Sequence, residues 1–271
     1  MREEPVKILY ITQEINPYIK ETEIADICRQ FPEFTINKGC EIRTFMPCFG
    51  HINERRNQLH EVQRLSGLNV IIDDNDHPLI IKVSSIQAAR MQIYFIDNDD
   101  YFMKRTMAID PNGEEYKDNG ERAIFYARGV LETVKKLGWT PDVIHCHGWI
   151  ASLAPLYIKT AYKDEPSFHD AKVVFSASAP ELKDDLGQHF AQCIPFKDAK
   201  MEDFQELCGE RLGHTELSKI AVKFSDGVIL DDKDVNSEIT DYAKSLNIPL
   251  LDYQGEDYKE AYSKFYDSLM D

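Results

Sequence analysis

The strongest constraint on the fold is an alternation of short apolar runs with longer amphipathic segments. Runs rich in β-branched and aromatic residues have the composition of strands and occur at 6–12, 41–47, 91–97, 142–147, 172–178 and 226–230. Amphipathic segments lie between them, among them 119–138 and 148–162, and the second is kinked or begins afresh near Pro155. This alternation is typical of a mostly parallel sheet with helices on both faces. The sequence therefore predicts an α/β protein.

One stretch behaves differently. Residues 67–97 contain consecutive short strands joined by the turn-rich "DDNDHP", which predicts a local antiparallel excursion beside the parallel sheet. Residues 181–215 are polar, with helical content but little apolar face. We find no internal repeat and no flexible linker. We therefore expect a single Rossmann-like domain over 1–255, with the strand at 6–12 in the centre of its sheet.

The segment 256–271 has the pattern of one amphipathic helix. An aromatic stripe recurs at helical spacing and consists of Tyr258, Tyr262, Phe265, Tyr266 and Leu269. A stripe of this width normally packs against another surface. We expect the C-terminal helix to dock on the domain that precedes it.

Composition excludes several classes of function. Asp and Glu outnumber Lys and Arg by 47 to 31, which gives a net charge of −16 and disfavours nucleic acid or anionic membranes as partners. The N-terminus lacks the apolar run of a signal peptide, and no later stretch approaches a membrane span. The six cysteines form no C-x-x-C pair. These features predict a cytoplasmic protein with reduced thiols, without a metal and without a cofactor.

Five motifs carry a resemblance to a known family. They are "KILYITQEINPYIK", "GCEIRTFMPCFG", "IYFIDNDDYF", "DNGERAIFYARGVLE" and "PDVIHCHGW". In order and spacing, the chain resembles bacterial glycogen synthases and plant starch synthases from about residue 6 to about residue 240. The resemblance implies the N-terminal half of a GT-B glycosyltransferase, in which two Rossmann-like domains face a cleft. Such enzymes move glucose from ADP-glucose to an α-1,4-glucan with retention of configuration.

The segment after the first strand departs from the family. There the family reads like P-Y-x-K-x-G-G-L-A-D-V, and its glycines let backbone N–H groups approach the ADP-glucose diphosphate at a helix N-terminus. This chain keeps Lys20 but has Thr22 and Glu23 in place of both glycines. A Cβ and a carboxylate at this turn disfavour a diphosphate, since like charges in a partly dry site repel strongly.

Two further positions depart in the same direction. The family's H-x-H-D-W has an Asp that contacts the donor sugar, whereas this chain has His147, Gly148 and Trp149. The family's K-x-V-F-T-I-H-N has a His that holds the transferring glucose, and Ser178 and Ala179 stand at its His and Asn. The resemblance thus implies that the donor-site contacts are lost.

These departures predict an inactive homologue of a glycogen or starch synthase. We expect a non-catalytic glucan-binding or accessory protein of glycogen metabolism, with the second GT-B domain absent. Its partner would be an α-glucan or another glycogen-pathway protein, and Lys20, His147 and Trp149 would keep a residual role in substrate binding. The alternative is an ADP-glucose-dependent glucan glycosyltransferase that a partner chain completes.

Two groups of residues could form a binding site, although an ordinary structural role also explains them. His145 and His147 share one face of a strand at a spacing that suits a metal, although no third ligand is evident. Lys20 with Arg43 and Lys172 could form a weak anion site, and solvated surface charge is the favoured alternative.

Two other features also have ordinary explanations. Ser178 lacks the G-x-S-x-G context of a hydrolase nucleophile. The acidic segments 97–100 and 231–234 lack the spacing of a calcium loop, so solvated loops are favoured.

Overall fold

The computed structural model describes residues 4–20 and 22–271. In chain order the strands are β1 (Lys7–Ile11), β2 (Glu41–Pro47), β3 (His60–Glu61), β4 (Leu68–Ile72), β5 (Asn75–Ile86), β6 (Met91–Asp97), β7 (Val143–His147), β8 (Lys172–Ala177), β9 (Gly227–Leu230) and β10 (Leu250–Leu251). The α-helices are α1 (Glu23–Asn37), α2 (Asn119–Leu137), α3 (Ala154–Lys159), α4 (Gly187–Cys193), α5 (His214–Lys223), α6 (Ser237–Ser245) and α7 (Tyr258–Met270). The six strands expected from sequence all form, and their ends agree within one residue.

The sheet has the order β10-β9-β8-β7-β1-β2-β6-β5-β3, so β1 is central as predicted. Neighbours from β10 to β6 run parallel, whereas β3 and β4 pair antiparallel with β5, which pairs antiparallel with β6. The predicted antiparallel excursion is confirmed. Its last strand, β6, pairs antiparallel with β5 on one side and parallel with β2 on the other. After β6 the chain returns to the other side of β1. The strand order therefore reverses between β1 and β7, which is a topological switch point.

Helix ends follow local signals in the sequence. Helix α2 ends at Leu137 because Gly138 adopts a left-handed conformation with φ 62°, as predicted for a C-terminal stop. The segment from 148 to 162 begins afresh rather than bending. A short 3₁₀ turn (Trp149–Ala151) precedes α3, and Pro155 lies in the first turn of α3, where its missing N–H costs nothing.

Alternate residues of β1 pack into two different layers. Leu9 and Ile11 join a large apolar cluster with α2, α3 and α5, whereas Ile8 and Tyr10 join a second cluster with α1 and α7. This period of two is what a strand buried on both faces requires. The central sheet is therefore covered on both faces, as an α/β fold demands.

Helix α7 docks on the sheet, as the aromatic stripe predicts. Tyr258, Tyr262 and Tyr266 are buried in the second cluster, and the rings of Tyr262 and Phe31 meet edge to face with centroids 5.2 Å apart. A Cβ added at Gly227 of β9 would lie 2.8–2.9 Å from side-chain atoms of Leu269 and Phe265. The strand and the helix thus approach more closely than a larger residue would permit.

The polar segment from 181 to 215 holds α4 and two short 3₁₀ turns, Met201–Asp203 and Gln205–Leu207. Its limited helical content agrees with the weak apolar pattern. Across the described residues, no helix combines the length and apolar composition needed to cross a lipid bilayer.

Candidate functional site

Polar residues collect where four neighbouring parallel strands end. Their order in the sheet is β9, β8, β7 and β1, so the group spans the switch point between β7 and β1. Open α/β sheets bind ligands in the crevice at this edge. The residues that follow the strand ends are Gln13, Glu14, Gly148, Trp149, Ser178, Glu181 and Asp231. We call this region the switch-point crevice.

Five side chains of the crevice form one hydrogen-bonded series. The Thr22 hydroxyl donates to Glu14 Oε2 at 2.8 Å, and the Gln13 amide donates to Glu14 Oε1 at 3.4 Å. The same Gln13 Nε2 donates to Glu181 Oε2. The Ser178 hydroxyl donates to Glu181 Oε1 at 3.1 Å. We call this series the carboxylate network.

Thr22 also caps helix α1. Its hydroxyl oxygen accepts from the backbone N–H of Ala25 at 3.1 Å, so it satisfies one of the donors that a helix N-terminus offers to an anion. Glu23 is the first residue of α1; its side chain is exposed and accepts from the Tyr253 hydroxyl at 2.8 Å. Thr22 and Glu23 thus add a capping group and a carboxylate at this helix end.

Gly148 allows the close approach of Gln13 at the switch point. Its backbone has φ 81° and ψ 168°, a conformation that L side chains rarely adopt. A Cβ at this position would lie 2.3 Å from Gln13 Oε1 and 2.7 Å from Gln13 Cβ. An Asp at position 148 would therefore require Gln13 to move. Gly148 and the buried Gln13 thus belong to the same local arrangement.

The carboxyl groups of the crevice are held in a poorly solvated environment. Burial, with the neighbouring charge of Glu14, raises the pKa of Glu181 to about 7, although bonds from Gln13 and Ser178 oppose the rise. Burial also raises the pKa of Glu14. The pKa of Asp231 lies well above its usual range because of burial and the nearby charges of Glu181 and Asp232. Raised pKa values show that the crevice disfavours negative charge, and a phosphate placed here would add to it.

Several buried polar atoms in the crevice lack a hydrogen-bond partner within residues 4–20 and 22–271. They are Gln13 Oε1, His147 Nδ1, Trp149 Nε1 and both carboxylate oxygens of Asp231. Burial lowers the pKa of His147 to about 3, so its ring is neutral. Buried polar groups are normally paired, and those that are not often mark a place for water or a ligand.

The predicted binding residues occupy different surroundings. Lys20 is exposed and lines a cavity of about 360 Å³ with His51, Asn53 and Arg56. His147 and Trp149 are both buried, each 1% exposed, so the Trp149 ring offers no open face for stacking. Their role in binding stays a prediction.

The anion site suggested for Lys20 with Arg43 and Lys172 is wrong. Lys20 follows the carboxyl end of β1, whereas Lys172 is the first residue of β8 and Arg43 lies in the amino-terminal half of β2. Because these strands are parallel, Lys20 lies on the side of the sheet where the strands end, whereas Arg43 and Lys172 lie toward the side where they begin. Arg43 instead lies over the Trp139 ring at 5.3 Å.

His145 is a core residue rather than a free ligand. Its Nδ1 lies 2.5 Å from the Tyr266 hydroxyl, and its Nε2 lies 2.7 Å from the Ser176 hydroxyl. The rings of His145 and His147 are 3.8 Å apart. In the described part of the chain, neither histidine belongs to a group of three side chains placed to hold a metal ion.

The interpretation of 97–100 and 231–234 as solvated loops is wrong for the first residue of each, because Asp97 is buried and pairs with Lys82 at 2.6 Å and Asp231 is also buried. Ser178 is buried and donates to Glu181, while Ala179 beside it is partly exposed. In the acidic segment 231–234, Asp232 accepts from the backbone of Asp234 at 2.7 Å and so stabilises its own turn.

Sequence reasoning missed the acceptors that dominate the crevice. Gln13, Glu14, Glu181 and Asp231 were not proposed as site residues. A usable signal was present, because Gln13 and Asp231 come one or two positions after buried strands whose carboxyl ends meet at one edge. Polar residues at those ends lie in the usual ligand crevice of such folds.

The fold and the crevice define an α/β domain with a ligand-binding edge at its switch point, and comparison with known proteins places it in a family. The sequence model described as "Starch synthase catalytic domain" matches residues 7–250. The glycogen synthase of Chlorobium limicola is 40% identical over 171 residues, which are 63% of this chain and 35% of that protein. That of Chlorobium phaeovibrioides is 36% identical over 206 residues, 75% of this chain and 40% of that protein.

A solved structure supports the same fold. It is the catalytic domain of starch synthase IV from Arabidopsis thaliana bound to ADP and acarbose, with a TM-score of 0.72 and 15% identity. The match covers 92% of this chain and 51% of that one. The chain belongs to the starch synthase catalytic domain family and has the GT-B half-fold that the motifs imply. It spans 35–40% of the length of the two glycogen synthases named above.

Proposed function

We propose that this glycogen/starch-synthase-like domain does not bind the diphosphate of ADP-glucose and serves as a glucan-binding or accessory protein of glycogen metabolism. The observation that carries the proposal is the carboxylate network at the switch point. Three positions of the donor motifs, Thr22, Gly148 and Ser178, take part in it or make room for it. The substitutions are thus geometrically linked rather than scattered.

The chemistry of the crevice supports a neutral ligand with hydroxyl groups. Its unpaired oxygens, on Gln13 and Asp231, are buried, and a hydroxyl group that reached them could satisfy either an acceptor or a protonated carboxyl group. A saccharide supplies hydroxyl donors without adding negative charge, whereas a diphosphate supplies acceptors and charge only. Glu181 and Thr22, both partly exposed, are accessible from the same region.

The test is a paired binding measurement on the full chain. Isothermal titration calorimetry should detect no ADP-glucose or ADP binding at micromolar concentrations, while glycogen or maltoheptaose should bind in affinity electrophoresis. The replacement Asp231→Asn should weaken glucan binding, whereas Asp234→Asn, in an exposed turn, should not. Micromolar ADP-glucose affinity would refute the proposal.

An incorporation assay addresses catalysis. Radiolabelled ADP-glucose and glycogen should give no labelled polymer with this chain alone. Transfer of label would identify the domain as a working glucosyltransferase. Transfer only after addition of a second polypeptide would favour an enzyme completed by a partner.

A further inference from the structure

A cluster outside the crevice has the composition of a transition-metal site. His189 and Cys193 lie four residues apart on α4, and Asp73 comes from the tight turn between β4 and β5. Their ligand atoms, one each from an imidazole, a thiol and a carboxylate, all lie within 4.8 Å of one another. Residues at i and i+4 share one side of a helix, so α4 presents both of its ligands to the same turn.

Two distances within the cluster are close to those between ligands of a single tetrahedral ion. His189 Nε2 lies 3.2 Å from Asp73 Oδ2 and 3.8 Å from Cys193 Sγ. Ligands bound at about 2.0–2.3 Å around a tetrahedral zinc ion are about 3.3–3.8 Å apart. One nitrogen therefore faces both other ligand atoms. A simple His–Asp ion pair would not require the thiol to approach that nitrogen.

One further charge acts on this cluster. Glu121, in the first turn of α2, interacts electrostatically with His189, Asp73 and Cys193, but its carboxylate is not among the groups whose ligand atoms all lie within 4.8 Å of one another. The three ligand atoms therefore come from two elements of the fold, the β4–β5 turn and α4.

We propose that Asp73, His189 and Cys193, with water as the fourth ligand, bind a Zn²⁺ ion. A mixed nitrogen, sulfur and oxygen set suits zinc, whereas Mg²⁺ and Ca²⁺ prefer oxygen ligands alone. On binding, the Sγ–H bond breaks, its proton goes to solvent and the thiolate sulfur forms the bond to zinc. The ion would fasten the β4–β5 turn to the segment that begins a few residues after Glu181.

The experiment is a zinc titration of the full chain, purified without a thiol reductant that chelates metals. Calorimetry should give one site with a micromolar or lower dissociation constant and no comparable binding of Mg²⁺. His189→Ala and Cys193→Ser should each lower the zinc affinity at least ten-fold. Mutation of residues that only hydrogen-bond to metal ligands already lowers metal affinity about 10–100-fold. Co²⁺ should give a tetrahedral spectrum with a thiolate charge-transfer band.

Matched controls come from groups elsewhere in the chain. His169 forms an exposed pair with Asp170 at 2.8 Å and, among the described residues, is not part of a three-ligand group, so His169→Ala should leave zinc affinity unchanged. Cys208→Ser should do the same. Equal zinc affinity in wild type and His189→Ala, or a Co²⁺ spectrum of the wild type without a thiolate band, would overturn the proposal. The spectrum needs no variant, so it decides the matter even if a substitution impairs folding.

Discussion

The two histidines of β7 lie on the same face of one strand, yet they belong to different regions of the molecule. His145 sits beneath α7, and both of its nitrogens lie within hydrogen-bond distance of hydroxyl groups. His147 ends the strand at the switch-point crevice, and its Nδ1 has no partner in the described chain. Burial lowers the pKa of both side chains. They differ in whether the surrounding protein completes their hydrogen bonds.

The same difference separates the two regions as a whole. The α1–α7 layer is aromatic and apolar around Phe31, Tyr258 and Tyr262, and it resembles an ordinary core. The crevice contains carboxyl groups whose pKa values are raised, and buried polar atoms without a partner, as at Asp231. A fold needs the first kind of region for stability. The second kind costs stability and therefore points to binding.

The largest test of this contrast removes α7. Deletion of residues 256–271 would expose Ile8, Tyr10, Val143, Val174 and Ile229, which α7 now covers. The loss of several fully buried apolar side chains, each contributing about 1.5–3 kcal/mol, is comparable with the whole stability of a domain. We expect aggregation or loss of the cooperative thermal transition. A truncated chain that melts at the wild-type temperature and stays monodisperse would show that α7 is dispensable.

A smaller effect is expected from Gly148→Ala in the crevice. The new Cβ would meet Gln13 at 2.3 Å in a backbone conformation with φ 81°. Strain and overpacking together should cost about 2–4 kcal/mol in the free energy of unfolding, measured with urea. Gly138→Ala is the matched control, because it has φ 62° but no atom within 4 Å of its Cβ. The control should cost only about 1–2 kcal/mol, the usual cost of an L residue in the left-handed region.

A double variant, Gly148→Ala with Gln13→Gly, tests whether the clash with Gln13 causes the loss of stability. If the clash with Gln13 causes the loss, the double variant should recover part of it, while backbone strain remains. Equal destabilisation by Gly148→Ala with and without Gln13 would mean that the two positions are not coupled.

These two regions also show how far the sequence determines the structure. The stripe of Tyr258, Tyr262 and Tyr266 predicts the docked α7 because helical periodicity reports burial directly. The apolar run at 6–12, followed by the start of a helix, predicts that Thr22 and Glu23 lie near the crevice, and α1 begins at Glu23. The link from Gln13 to Glu181 is not predictable in this way. It joins residues 168 positions apart through side-chain geometry that no local pattern records.

A pH-dependent effect is expected for Asp231→Asn. The folded state raises the pKa of Asp231 above its unfolded value of about 3.9, so folded protein binds this proton more tightly. This contribution to stability is present below about pH 4 and is lost as the pH rises through the folded pKa. At pH 8 the free energy of unfolding of the variant should therefore be higher than that of wild type by about 1–3 kcal/mol, because the variant lacks an unpaired buried charge.

The difference in the free energy of unfolding between Asp231→Asn and wild type should become smaller toward pH 4. Chemical denaturation at several pH values measures it, with Asp234→Asn as the exposed control expected to change stability by less than about 0.5 kcal/mol. A constant gap across pH would show that charge at Asp231 is not the cause.

The smallest effect should come from Tyr266→Phe in the α1–α7 layer. It removes the hydroxyl that pairs with His145 Nδ1 and also interacts with Tyr10, and it leaves the buried His145 nitrogen without this partner. The expected cost is about 1–2 kcal/mol, or a fall of about 2–4 °C in Tm for each kcal/mol in a chain of this size. Tyr253→Phe is the control, because Tyr253 is 36% exposed and its bond to Glu23 is at the surface. If both replacements change Tm equally little, the pairing of His145 contributes nothing to stability, and the contrast with His147 loses its energetic basis.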